Sequence, residues 1–412
     1  MSYVTASWRV GCAGMHWPRS YGHRWSGGLV VAEMLALLEQ ARRTKINLTY
    51  NPNESLPGQL ARREGETLRY LVFLMLTPVL FAADLKVKTT FQQVPIDSDL
   101  IQAWDVEIDE KDNLYVVDVS TNVIHTWDAR GEYTGHFITK GQGPGEVVFK
   151  GQGGNAGFVD VYKGEIFVWD AGSNRINVYD KNKQYLRAIK LALSAGRCTS
   201  MRVVDDERIF FAFRGFFKNQ PTIEFVLLDR EGNVTQKLWK AEDHTFDRVE
   251  KGGQRLFIFN AFVGKLHANF DGSTGQFVVG NSTDSLFKIY DSAGNELTAF
   301  TAELKATLVT DADKEEFKEL SWMKRNANFD AAFPEYRSYY DLVFPLKQGL
   351  LVATISVGNR TMNGYLLDKK GKTISRVTYS FGSGGRPFYR DGRLFGVTLD
   401  ANDDAEMIEL TL

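Results

Sequence analysis

The chain has 412 residues, 43% of them hydrophobic, and a formal net charge of −2 with acids and bases interspersed. That balance offers no field suited to a nucleic-acid backbone, and no basic run is interleaved with aromatics, which speaks against duplex binding. Of the two cysteines, Cys12 lies in an upstream segment that reads as no part of the folded protein, so no intramolecular disulfide is expected, and Cys198 reads as a small buried residue.

Residues 1–67 carry three of the eight Trp and two of the six His, yet show no sustained period of 2 or 3.6 outside 33–43. They read as an unstructured or mis-assigned upstream segment, the alternative being a small helix over 30–43. Residues 68–83 have a basic start at Arg69, an apolar stretch of about a dozen residues and small residues at the end, the layout of a secretory signal peptide. A bilayer-spanning helix needs ~20 apolar residues, so no stable membrane span is expected in the mature protein. No Cys follows the stretch, and no lipid anchor is indicated. Pro78 and the turn to strand-like sequence at Leu85 argue against a buried core helix. Secretion or a periplasmic location is the expectation.

From Leu85 on, a phrase recurs. Leu114 to Asp118, then Asn122, Ile124, Trp127 and Asp128, returns 52 residues later as Ile166 to Asp170, Asn174, Ile176, Tyr179 and Asp180. A third copy with Asn281, Ser285, Phe287, Tyr290 and Asp291 keeps each spacing. Units of this length with alternating apolar and polar residues are the trace of four-stranded β-blades that cannot bury both faces alone. Residues 85–412 divide into six units of about 55 residues, a usual blade size once loops are counted. The fold class is therefore all-β: a six-bladed β-propeller of four-stranded antiparallel blades. Units one to five fall at 104–138, 157–189, 201–239, 266–300 and 339–377. The sixth, 388–412, has room for three strands only, and 87–94 is expected to supply the fourth, closing the ring and leaving no open edge there.

One insertion breaks the spacing. Residues 310–326 have an Asp-rich start, a basic end and Phe317, Leu320 and Met323 at helical intervals, which predicts an amphipathic helix. It either packs on the rim or contacts a partner, and in the second case Trp322 and Arg325 are the residue types that anchor interfaces.

The pattern Asp-x3-Asn-x-Ile-x-x-aromatic-Asp followed by a Gly turn resembles the NHL-type repeat, and 85–412 is similar to six-bladed propeller proteins common among secreted bacterial proteins. Lys140-Gly-Gln-Gly-Pro-Gly-Glu146 resembles the glycine-rich link after the first blade in that group. The resemblance implies the fold but no single activity, since members include scaffolds, binding modules and a few lyases and lactonases.

Asp118, Asn122, Asp170 and Asn174 bracket tight turns, where short polar side chains cap backbone amides and tolerate turn dihedrals. Residues 141–146 lack the Lys-Ser/Thr and the following helix of a phosphate loop and read as a connector. Asp400, Asn402, Asp404 and Glu406 alternate as Ca²⁺ ligands would, without the Gly and twelfth-position Glu such a loop needs. No nucleophile elbow, zincin helix or Cys/His spacing is present, and His125, His136, His244 and His267 are scattered. The resemblance to lyase and lactonase propellers, whose metal ligands converge from inner strands, makes Asp105 and Glu107 candidates for a channel site. The expectation is a binding module for a protein, peptide or glycan, without a cofactor. The alternative is a metal-dependent lyase or hydrolase working in the channel with a divalent cation such as Ca²⁺.

Overall fold

A computed structural model describes the chain from residue 82 to 411, apart from 96–99, 101, 152–153, 156, 193–195, 218–219, 252–253, 325–328, 358–359, 383–384 and 400–403. The expectations for 1–67 and for the apolar stretch before Ala82 lie outside the described residues.

Six antiparallel sheets carry the fold. Blade 1 is Ala103–Ile108, Leu114–Asp118, Val123–Trp127 and Tyr133–Phe137, and blades 2 to 5 repeat the meander from inner strands at Val159–Tyr162, Arg197–Val203, Leu266–Asp271 and Leu342–Leu346. Blade 6 is Arg386–Arg390, Arg393–Leu399 and Ala405–Thr411, with Lys86–Thr90 antiparallel to the last of these, Val87 opposite Leu410. The amino-terminal strand thus closes the terminal blade. The strap is longer than the sequence suggests: Ala82–Asp84 adds a parallel strand to blade 5, Ala82 opposite Arg376, before the chain crosses to blade 6.

The period of two explains why the ring holds. Tyr115, Val117 and Ile124 of blade 1 pack against Ile166, Val168 and Tyr179 of blade 2, whereas Leu114, Val116 and Trp127 pack the other way on Phe388, Phe395 and Met407 of blade 6. Alternate residues of one strand therefore serve two neighbours, and all of Leu114–Asp118 is buried. Equivalent layers join every adjacent pair of blades around the ring. Trp169 of blade 2 meets Phe211 of blade 3 edge to face at 4.9 Å, a contact whose truncation costs about 3–5 kcal/mol in a packed core.

The turn residues of the repeat also tie blades together. Asp118 Oδ1 accepts from the amides of Ser120 (2.8 Å) and Thr121 (3.3 Å), and Asn122, at φ 60°, takes the left-handed conformation that Asn tolerates. Asn122 Oδ1 accepts from Phe149 N at 2.9 Å and Asp170 Oδ1 from Val148 N at 3.0 Å, so both pin the connector between blades 1 and 2. Asn174 has the same left-handed backbone at φ 51°. Within the connector the Glu146 carboxylate folds back onto Gly143 N (2.8 Å), and a Cβ on Gly141 would stand 2.0 Å from Glu146 Oε2. Arg175 Nη2 donates to the carbonyls of Gly143 (2.8 Å) and Glu146 (3.1 Å). Carbonyls converge here on a cation, the opposite of a phosphate cradle.

Two insertions depart from the blades. Phe246–Lys251 and Gln254–Asn260 form a hairpin after blade 3, and Phe329–Ala332, from the insertion after blade 4, joins it in parallel. The expected single helix over 310–326 is two short ones, α1 (Asp311–Lys318) and α2 (Ser321–Lys324), because the chain turns at Glu319 and Leu320. A capping box between Thr310 and Asp313 starts α1. Phe317 of α1 meets Phe262 (5.9 Å) and Phe333 (5.8 Å), and the Arg337 guanidinium lies 4.4 Å from the Phe262 ring centre. An aromatic cluster from both insertions thus holds α1 down.

Candidate functional site

The inner strands surround a channel. All six run the same way, entering from the face that carries the blade-to-blade connectors, so residues at strand starts line one end and residues at strand ends the other. The cavity has a volume of roughly 300 Å³ and is lined by Trp104, Phe225, Phe270, Phe344 and Phe388 among apolar residues, with basic side chains from three blades.

The far end is a closed ion cluster. Asp105 and Glu107 both reach it from blade 1 and are buried, with 6% and 1% exposure. Neither is left free for a ligand. Asp105 is bonded by Arg390 Nη2 and accepts from Val159 N at 3.1 Å. Glu107 is bonded by Arg202 Nη1, has Arg390 Nε at 3.2 Å, and accepts from Ile108 N at 2.8 Å. Asp160 of blade 2 takes Val203 N of blade 3 and lies 3.5 Å from Arg202 Nη1. Asp105 and Asp160 each satisfy an unpaired amide on the next blade's inner strand, as Asn269 Nδ2 serves the Val343 carbonyl at 2.7 Å. Burial pushes the Glu107 carboxyl well up and also raises Asp160; the Arg202 and Arg390 guanidiniums oppose both shifts, while the neighbouring Asp160 carboxylate adds to that of Glu107.

The near end is different in kind. Arg197, Arg386, Lys265 and Arg214 gather where the inner strands begin. Arg197 and Arg386 stand over the Trp104 ring at 5.3 and 5.2 Å. Arg214 Nε faces Asp243 Oδ2 at 2.9 Å. The side chains of Arg197, Lys265 and Arg386 have no carboxylate partner among the described residues. Burial depresses all three: Arg386 falls to about 10, Arg197 is lowered further by Arg214, and for Lys265 nearby Asp341 partly offsets the burial. His267 is held well below its usual range by burial and by Lys265 and Arg214; its Nε2 has no hydrogen-bond partner, and its ring lies 5.3 Å from that of Tyr340. These groups are half-buried, and Lys265, His267 and Arg386 line the cavity.

Of the other residues singled out by sequence, Trp322 lies in α2, whereas Arg325, Asp400 and Asn402 lie outside the described residues. His125 is in blade 1 opposite His136, its Nδ1 3.1 Å from Tyr133 Oη, and His244 is exposed beside Glu242. Only His267 of the four lines the cavity. Among the described residues no group of three or more His, Cys, Asp or Glu side chains is placed to hold a metal ion. No helix among them is long and apolar enough to cross a membrane. Cys198 is buried, and burial raises its thiol well above the usual range. The basic residues at the near end were missed by sequence reasoning. Their signal is a Lys or Arg at or just before the start of an inner strand in three different units.

Residues 97–265 match a family described as "6-bladed beta-propeller". The chain is a six-bladed β-propeller. Among solved structures it is similar to a candidate exported protein of Bacteroides fragilis, at 13% identity and a TM-score of 0.50, covering 82% of this chain and 97% of that one. A DUF4221 family member from Bacteroides vulgatus follows at 9% identity and a TM-score of 0.48, covering 79% and 97%. Virginiamycin B lyase from Staphylococcus aureus shows 10% identity and a TM-score of 0.42, covering 80% and 99%. At such identities the likeness is one of fold. No curated protein sequence matches the propeller chain.

Proposed function

We propose that this propeller is a secreted or periplasmic binding module that seats its ligand in the connector-face end of the central channel. The observation that carries the reading is the contrast in pairing along one cavity: the far end is filled with mutually satisfied charges, and the near end keeps Lys265 and Arg386 on the cavity without a carboxylate partner among the described residues. Buried polar groups are ordinarily hydrogen-bonded, and those that are not point to something they meet in function. The basic and apolar layout of 68–83 supports export. The aromatic cluster built from both insertions enlarges the same face and offers a protein, peptide or glycan a broader surface beside the channel.

The test is to plug the cavity. Ser200 lines it, and Ser200→Trp is expected to abolish binding of any small probe found by melting-temperature screening of the full chain, with the melting temperature in plain buffer little changed. The screen would use glucose, glucuronate, citrate, phosphate, spermidine and Ca²⁺. Retained binding in the plugged protein would place the site elsewhere on the molecule. Stabilisation by Ca²⁺ alone would favour the metal-dependent alternative.

A further inference from the structure

The chemistry of the near end specifies more than a ligand; it specifies its charge. Arg197, Lys265 and Arg386 come from the starts of inner strands or just before them in three blades, Arg214 from the second strand of blade 3 opposite Arg197, and one carboxylate, Asp243, is ion-paired with them, through Arg214. Asp105, the acid next along the channel, is already bound to Arg390 and Val159 N. Asp341, the other acid near Lys265, accepts from Ile355 N at 2.9 Å and lies 3.8 Å from Arg337. Arg360, beyond Arg386, spends its Nε on the Gly385 carbonyl at 3.0 Å. Enclosing several cations in one small cavity without counter-charges is costly, and the cost is removed by an anion that bridges them.

We propose that the ligand is a compact dianion, with two anionic oxygen-bearing groups or one doubly charged group, held between Lys265, Arg214 and the Arg197–Trp104–Arg386 stack. This rests on the channel-binding reading above. A phosphate monoester, inorganic sulfate or a short dicarboxylate shares that chemistry. The cavity is near the lower end of the range for small-molecule pockets, about 300–1,000 Å³, which favours a ligand of a few carbons. Arg suits planar oxyanions through paired donors and Lys acts as a point charge, so a mixed set accommodates a group approached from several sides. Phe225, Phe270 and Phe388 supply an apolar wall for the body of such a molecule.

Calorimetric titration of the full chain at constant ionic strength decides the matter, with glucose 6-phosphate, inorganic sulfate, malonate, acetate and glucose as probes. At least one dianion is expected to bind about tenfold or more tightly than acetate and glucose. Which dianion wins distinguishes phosphoryl, sulfuryl and carboxylate sources. Lys265→Met and Arg386→Met are each expected to weaken that binding about tenfold or more, without lowering the melting temperature measured in sodium chloride. Binding of glucose equal to that of glucose 6-phosphate, unaffected by either substitution, would overturn the charge assignment and leave the channel reading standing. Dianion binding that survives Ser200→Trp would overturn both, and the absence of any dianion response beyond that of chloride would overturn the dianion assignment.

Discussion

The two ends of the channel use the same residue types to opposite effect. At the far end Arg202 and Arg390 are locked to Asp105, Glu107 and Asp160, and the acids that face them also cap backbone amides of neighbouring inner strands. At the near end Lys265 and Arg386 face the cavity, and Arg197 stands with Arg386 over the Trp104 ring that lines it. Buried charge is thus not one property. Where it is paired and cross-braces blades it belongs to the fold, and where it is enclosed but unpaired it is a cost the fold carries for another purpose.

The largest effect is expected from breaking the paired end. Arg202→Ala removes the guanidinium shared by Glu107 and Asp160 and leaves the buried Asp160 with no guanidinium and Glu107 with that of Arg390 alone. Removing one partner of a buried ion pair costs about 3–5 kcal/mol, and chemical denaturation would show it as a lowered midpoint. A midpoint within about 0.5 kcal/mol of the unaltered protein would mean that the cluster is slack and the contrast between the ends is false.

A smaller effect comes from the proton this end retains. Glu107 is raised above its ordinary 4.5, so the folded protein holds a proton that the unfolded chain releases. The stability tied to it is present below the unfolded value and is lost as pH rises through the window between 4.5 and the elevated folded value. Glu107→Gln keeps the shape of the protonated acid and is expected to flatten that decline. His125 acts in the opposite sense. Burial lowers it to about 4 from 6.5, so the unfolded chain binds the extra proton and stability falls as pH drops from 6.5 towards 4. Melting temperatures of Glu107→Gln and His125→Gln against pH should therefore flatten opposite limbs of the profile.

How much of this was legible depends on how local each feature is. The Asp118 and Asn122 turn recurs at Asp170 and Asn174 because one blade needs the same short hydrogen-bonded corner as the next, and a local need leaves a fixed spacing. The short sixth unit implied a strand from elsewhere, and Lys86–Thr90 supplies it. Asp105 and Glu107 were singled out as channel ligands because both sit on one inner strand, but nothing local could reveal that arginines from blades 3 and 6 occupy them. The near-end cations come from positions 197, 214, 265 and 386, outside the repeated phrase, and meet only because the ring closes. The hairpin Phe246–Lys251 and Gln254–Asn260 was missed for a related reason: its third strand, Phe329–Ala332, arrives from the next insertion and pairs in parallel. The insertion at 310–326 was recognisable, but its break was not, because Phe317 is held by Phe262 and Phe333 from distant sequence rather than by its own helix.

The smallest effect is the sharpest test of the comparison. Arg386→Met at the near end removes a guanidinium 5.2 Å from the Trp104 ring and 4.8 Å from that of Phe388, forfeiting two cation–π contacts of about 0.5–1 kcal/mol each. It also removes the repulsion from Arg197 and Arg360 that helps lower Arg386 to about 10, and it spares the burial of a charge. The terms oppose, so the net change in stability is expected to lie within about 1 kcal/mol, in contrast to Arg202→Ala. Trp104 reports on the event directly, since replacing a cation over the indole by a thioether should shift its emission. A loss as large as that of Arg202→Ala would show that Arg386 has a structural partner after all, and the near end would then be one more brace between blades.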